Sequence, residues 1–166
     1  MGAYHRVMPR TDTASRVVAA PPEQVYAAFV DPDALAAWLP PDGMIGRFER
    51  FDARPGGSYR LVLTYEDASG APGKATADAD IVEARFVDVV PGERVIQEVD
   101  FESDDPAFAG TMTMTWAVTP DGGGTRVDII AEHVPDGITA ADHAAGMASS
   151  LANLAAHVED DGDASR

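Results

Sequence analysis

Apolar residues recur along this chain with two different periods. Between Met44 and His133 they alternate with polar ones, the period of a strand with one buried face. Ser58 to Glu66 is the clearest case: Tyr59, Leu61, Leu63 and Tyr65 share one side, and Arg60, Val62 and Thr64 the other. The same alternation predicts strands at Ala75 to Ala84, with Ala75, Ala77, Ala79 and Ile81 in phase, and at Arg94 to Phe101, with Val95, Gln97, Val99 and Phe101 in phase. It predicts two more at Thr111 to Val118, through Met112, Met114, Trp116 and Val118, and at Thr125 to His133, through Val127, Ile129, Ala131 and His133. Ile45 to Phe51 alternates less cleanly, and Thr13 to Ala20 is rich enough in β-branched residues for a first strand.

From Thr139 to Val158 the period becomes helical. Ala140, Ala144, Met147, Leu151, Leu154 and Val158 fall in one stripe, while Asp142, Ser149, Ser150, Asn153 and His157 mostly fall off it. Thr139 can cap this helix, and Asp142 suits the positive end of its dipole. Two short helices precede the sheet. Pro21-Pro22 opens one through Val25, Tyr26 and Phe29; Asp31-Pro32 opens the next through Leu35, Trp38 and Leu39, and Pro40-Pro41 stops it. About seven strands, mostly joined by hairpins and so antiparallel, followed by one long amphipathic helix make an α+β domain with the sheet covering the helix. Residues 1–12 read as an irregular lead-in, 13–158 as the domain, and 159–166 as a disordered acidic tail at the unfavourable end of the helix dipole. The helix is rich in Ala and contains Gly146. Small residues there leave either a close helix–sheet approach or an unfilled space.

Composition narrows the partners. The chain has 166 residues and a net charge of −16, which disfavours nucleic acid and anionic membrane surfaces. It has no Cys, so thiolate chemistry and disulfides are excluded. No apolar run reaches the roughly 20 residues of a membrane helix, and no signal peptide is visible, so the expected location is cytoplasmic with no membrane partner.

Several local sequences, in order and at matching spacing over residues 13–158, resemble domains related to the activator of the heat-shock-protein-90 ATPase, within the START-like (SRPBCC) superfamily. They are Pro21-Pro22-Glu23-Gln24-Val25-Tyr26-Ala27-Ala28-Phe29, then Asp31-Pro32 with Leu35-Ala36-Ala37-Trp38, then Asp52-Ala53-Arg54-Pro55-Gly56-Gly57-Ser58-Tyr59-Arg60, then Val90-Pro91-Gly92-Glu93-Arg94-Val95, then Gly123-Gly124-Thr125-Arg126-Val127. The resemblance implies a helix-grip fold, a curved antiparallel sheet wrapped on the long C-terminal helix, with two short helices after strand one. It also implies a cavity between sheet and helix, in which related proteins hold lipids, polyketides, hormones or antibiotics. A few related branches are cyclases or aromatases. Homodimers are common among such domains, and a chaperone link belongs to particular eukaryotic members. One position departs from the pattern: relatives usually carry Gly-Trp in the last helix, and this chain has Gly146-Met147. The interior is therefore expected to differ in shape.

On that frame the expected ligand-binding residues are Trp38, Tyr59, Leu63, Tyr65, Gln97, Met112, Met114, Trp116, His133, Met147 and Leu151. Gln97, His133 and the two Tyr hydroxyls are the polar groups on otherwise apolar faces, as in sites where a few polar groups orient an apolar ligand. Ordinary core packing is the competing reading for each apolar residue. The leading expectation is binding of a small, largely apolar ligand without a cofactor or metal. One alternative is a cyclase- or hydrolase-type enzyme using His133 or Tyr65 as acid or base; another is a chaperone-ATPase regulator acting by protein–protein contact. His133, His143 and a carboxylate offer the residue types of a metal site, but their spacing matches no motif. Asp78, Asp80, Glu98 and Asp100 alternate on neighbouring strands and are expected to face outward, as a solvated surface.

Overall fold

The computed structural model describes residues 10–40, 43–65, 80–101, 106–108 and 110–164. Seven strands form one antiparallel sheet: β1 (Thr11–Val18), β2 (Met44–Phe51), β3 (Ser58–Tyr65), β4 (Asp80–Val90), β5 (Arg94–Phe101), β6 (Met112–Asp121) and β7 (Gly124–Glu132). Their order is β1-β7-β6-β5-β4-β3-β2, so β2 to β7 run as a meander and β1 closes beside β7. Bulges lie between Phe48 and Arg50 in β2 and between Phe86 and Asp88 in β4. The sheet curls around the long helix α3 (Ala140–Ala164), and the short helices α1 (Pro22–Ala27) and α2 (Pro32–Trp38) follow β1. This is the helix-grip arrangement expected from the sequence.

The local chemistry explains these elements. Asp31 accepts from Asp33 N at 3.0 Å and caps α2, with Pro32 behind it. Thr139 Oγ1 accepts from Asp142 N at 3.0 Å and caps α3. The β6–β7 hairpin turns on Gly122 and Gly123, both with positive φ (55° and 93°), the geometry of a two-residue turn that matches strand twist. Gly124 follows because a Cβ there would lie 2.4 Å from the Val18 carbonyl oxygen.

The concave face carries the core. Tyr59 and Leu61, Val95 and Val99, Met112, Trp116 and Val118, and Val127, Ile129 and Ala131 are buried in the alternation the sequence predicts. β4 departs from it. Val82, Ala84 and Phe86 are the buried set, and Ile81 stands opposite Val62 on the other face. The expected strand ended at Ala84 and took its phase from Ala75, Ala77 and Ala79, which lie outside the described residues. The observed strand continues to Val90, and pairing of Val82 with Leu61 fixes its register.

The convex face is charged. Arg85 reaches Asp100 at 2.8 Å and Glu98 at 3.4 Å, and Glu83 is bonded by Arg60 and by Arg50, the latter at 2.6 Å. Glu98 and Asp100 therefore do face outward, paired with arginine. Asp78 and the Asp80 side chain lie outside the described part.

β1 starts at Thr11, and α3 runs to Ala164. Two ties hold the far end of α3: Gln24 Nε2 donates to Val158 O at 2.8 Å, and Ala19 N donates to Glu159 Oε2 at 2.9 Å.

Candidate functional site

A cavity of about 190 Å³ lies between the concave face and α3. Successive inward residues of β3 supply Tyr59, Leu61 and Leu63, and β6 supplies Met112, Met114 and Trp116. Val82, Val99 and Ile129 come from β4, β5 and β7. From the helical side come Leu39, just after α2, and His143, Gly146, Met147 and Ser150, which recur at three- and four-residue steps along α3. Leu39, Leu63, Met114, His143 and Gly146 are half-buried and form the rim toward solvent. Gly146 is one of these rim residues. A Cβ built there would meet nothing within 4 Å, so this part of the helix stands clear of the sheet.

Two bonds hold α3 at that height. Ser150 Oγ donates to Leu39 O at 2.7 Å, and Asn153 Nδ2 donates to Pro40 O at 3.1 Å. They satisfy the carbonyls left open where proline ends α2.

Polar groups are few in the wall. Tyr59 donates its hydroxyl hydrogen to Gln97 Oε1 at 2.8 Å, and both residues are buried. Burial pushes the Tyr59 hydroxyl far up, so it stays protonated and remains a donor. Gln97 Nε2 has no hydrogen-bond partner among the described residues, and neither has Trp116 Nε1. Trp38 differs, because its Nε1 donates to Ala28 O at 2.8 Å. The Trp116 ring packs against Trp38 and Phe29, with centroids 5.3 and 5.6 Å away, and those two rings lie 6.0 Å apart. A buried donor left without a partner costs about 1–3 kcal/mol.

The rim carries a charged group. His143 Nδ1 lies 2.7 Å from Asp12 Oδ2. A carboxylate only accepts, so Nδ1 bears the hydrogen and Nε2 is the free nitrogen in the neutral ring. Arg10 holds the same carboxylate through Nε at 3.0 Å and Nη2 at 3.0 Å, and also donates to Ile138 O. Burial alone pushes the Asp12 carboxyl up, but the hydrogen bonds from Arg10 and His143 outweigh it and keep it below its ordinary value.

Six of the residues expected from sequence stand together in this wall: Tyr59, Leu63, Met112, Met114, Trp116 and Met147. Trp38, Gln97 and Leu151 are buried but do not line it. The Tyr65 side chain lies outside the described part. His133 is misplaced by the sequence reading. β7 ends at Glu132, His133 turns out at φ 60° and is exposed, and Val134 takes the buried place with its N–H on Arg10 O at 3.1 Å. Alternation was carried one residue past the ladder. A three-residue metal group built on His133 fails for the same reason, and no other such group occurs among the described residues.

The sequence reading also missed wall residues. Leu61, Val99 and Ile129 already had the inward parity. Val82 was lost with the phase of β4. His143 and Ser150 were overlooked because the stripe was drawn through apolar residues; Ala140 and Ala144, which belong to that stripe, are exposed.

Comparison with known proteins gives consistent results. The family model for Activator of Hsp90 ATPase homolog 1-like protein matches residues 19–159. Protein CV1439 of Chromobacterium violaceum has a similar structure, with 37% identity, a TM-score of 0.77, and coverage of 90% of this chain and 96% of that one. Protein Mll3558 of Rhizobium loti is 28% identical, with a TM-score of 0.67 and coverage of 92% and 99%. A protein of Arthrobacter aurescens shares the fold at 16% identity, with a TM-score of 0.74 and coverage of 90% and 86%. No curated protein matches the chain.

Proposed function

On the premise that the chain belongs to the Activator of Hsp90 ATPase homolog 1-like family, we propose that it binds one small, largely apolar molecule between the sheet and α3. The observation that carries this reading is the open space over Gly146, walled by Leu61, Leu63, Val82, Val99, Met112 and Met147. Methionines on both sides of the space suit a wall that adapts to its guest.

The enzymatic alternative has less support. His133 is exposed, so it cannot serve the cavity. His143, oriented by Asp12, has the form of a general base, but the wall offers no second reacting group among the described residues. The Ser150 hydroxyl is spent on Leu39 O, and the Tyr59 hydroxyl is spent on Gln97 with its acidity suppressed by burial. A chaperone-docking surface also lacks support. Among the described residues, the large exposed apolar ones, Val17, Ile45 and Val87, stand on β1, β2 and β4, no two of which are neighbours in the sheet.

Native mass spectrometry with organic extraction of the purified protein tests the binding reading. A small apolar molecule at unit stoichiometry in the wild type, lost in Met147→Trp, is the expected result. Undiminished occupancy in a folded Met147→Trp variant would put the molecule elsewhere and end the proposal.

A further inference from the structure

The two buried donors without partners share one neighbourhood. Gln97 on β5 lies opposite Met114 on β6, and Trp116 is two residues along the same strand, so both side chains enter the same concave face. Trp116 lines the cavity, and so does Tyr59, which holds Gln97 in place. That bond engages the Gln97 carbonyl, and the Gln97 N–H groups find no partner among the described residues. An indole nitrogen can only donate. Trp116 thus brings an unpartnered donor to the wall of an apolar cavity, while other buried groups among the described residues are satisfied: Trp38 on Ala28 O, and Thr125 Oγ1 on Ala20 O at 2.7 Å.

Resting on the binding reading above, we propose that the natural occupant is a neutral carbonyl compound. Its oxygen accepts from Trp116 Nε1, and its apolar frame fills the space toward Gly146. Neutrality follows from the wall. Among the described residues no Arg or Lys lines the cavity, and nearby Arg10 is spent on Asp12, so no such cation offsets a buried anion. Size follows from volume. A cavity of about 150 Å³ admits benzene, and 190 Å³ admits a compact bicyclic carbonyl compound or its acyclic equivalent.

The probes are 1-indanone and indane, which share a frame and differ at the ring carbonyl. The chain has two tryptophans, so its ¹H–¹⁵N spectrum carries two indole resonances, and Trp38→Phe assigns them. Titration of the wild type with 1-indanone is expected to move the Trp116 indole proton downfield and saturably, while the Trp38 resonance, held on Ala28 O, stays in place. Indane is expected to bind without that downfield shift. The ratio of 1-indanone to indane affinity is expected to fall about tenfold in Trp116→Phe, the worth of one buried hydrogen bond. If both probes bind and the Trp116 proton does not move downfield with 1-indanone, the carbonyl inference is wrong and the cavity reading stands. If neither binds, both are wrong. The wild-type spectrum decides the matter even if Trp116→Phe fails to fold.

Discussion

At the scale of single residues, the site turns on what is missing from positions. Gly146 lacks a side chain where the helix crosses open space, and Trp116 and Gln97 lack acceptors. Glycine inside a helix costs about 1 kcal/mol relative to alanine. Since a Cβ at Gly146 meets nothing within 4 Å, Gly146→Ala is expected to raise stability by about 1 kcal/mol, read as a higher urea midpoint at unchanged slope. A lowered midpoint would mean that the helix has no room there. The sequence made Gly146 visible as an oddity without saying which way it acts, because a small residue serves close packing and open space equally. The histidines show the opposite failure. His133 looked inward because alternation was continued past the last ladder pair, and one left-handed residue reverses a side chain. His143 was legible only as a residue type suited to a metal site, because its pairing depends on Asp12, far away in the chain and adjacent only once β1 lies beside α3.

At the scale of elements, the outer face of the sheet and the joint between β1 and α3 are held by carboxylates paired with cations. For Glu83, burial pushes the carboxyl up, but hydrogen bonds from Arg60 and Arg50 outweigh it and hold it low. Asp100 is held low in the same way by Arg85 and Thr111, and Asp12 by Arg10 and His143. A carboxyl whose folded value lies below its unfolded value contributes stability that is complete above the unfolded value. That contribution is lost as pH falls through the folded one. Stability is therefore expected to fall below about pH 4, where ordinary carboxylates begin to take up protons. The fall should be shallower in Arg85→Gln, which removes the partner of Asp100. Urea midpoints between pH 7 and pH 3 measure it; parallel profiles for the two proteins would refute the pairing. The elements themselves were legible wherever local chemistry fixes them: the Asp31-Pro32 start of α2, the Thr139 cap, the glycine hairpin before β7. β4 was not, because its phase is set by pairing with β3 and its second half runs past Ala84 to Val90.

At the scale of the whole molecule, a curled sheet and one helix cannot meet everywhere. The chain closes the gap at the α2 end with Trp38, Trp116 and Phe29, and leaves it open where α3 carries Gly146 and Met147. Among the described residues no helix is long and apolar enough to cross a membrane, and the net charge of −16 sets the molecule against anionic partners. A neutral guest meets neither obstacle. The family and the fold could be read from motifs in order along the chain. The cavity could not, since its volume is a difference between surfaces that many residues set together.

The most direct test of that cavity is methyl NMR. Three of the six methionines, Met112, Met114 and Met147, line it, and Met44, at the start of β2, does not. With ¹³C-methyl methionine and indane as the probe, the account expects saturable shifts at Met112, Met114 and Met147 and none at Met44. Absence of saturable shifts at those three, or equal shifts at Met44, would contradict it.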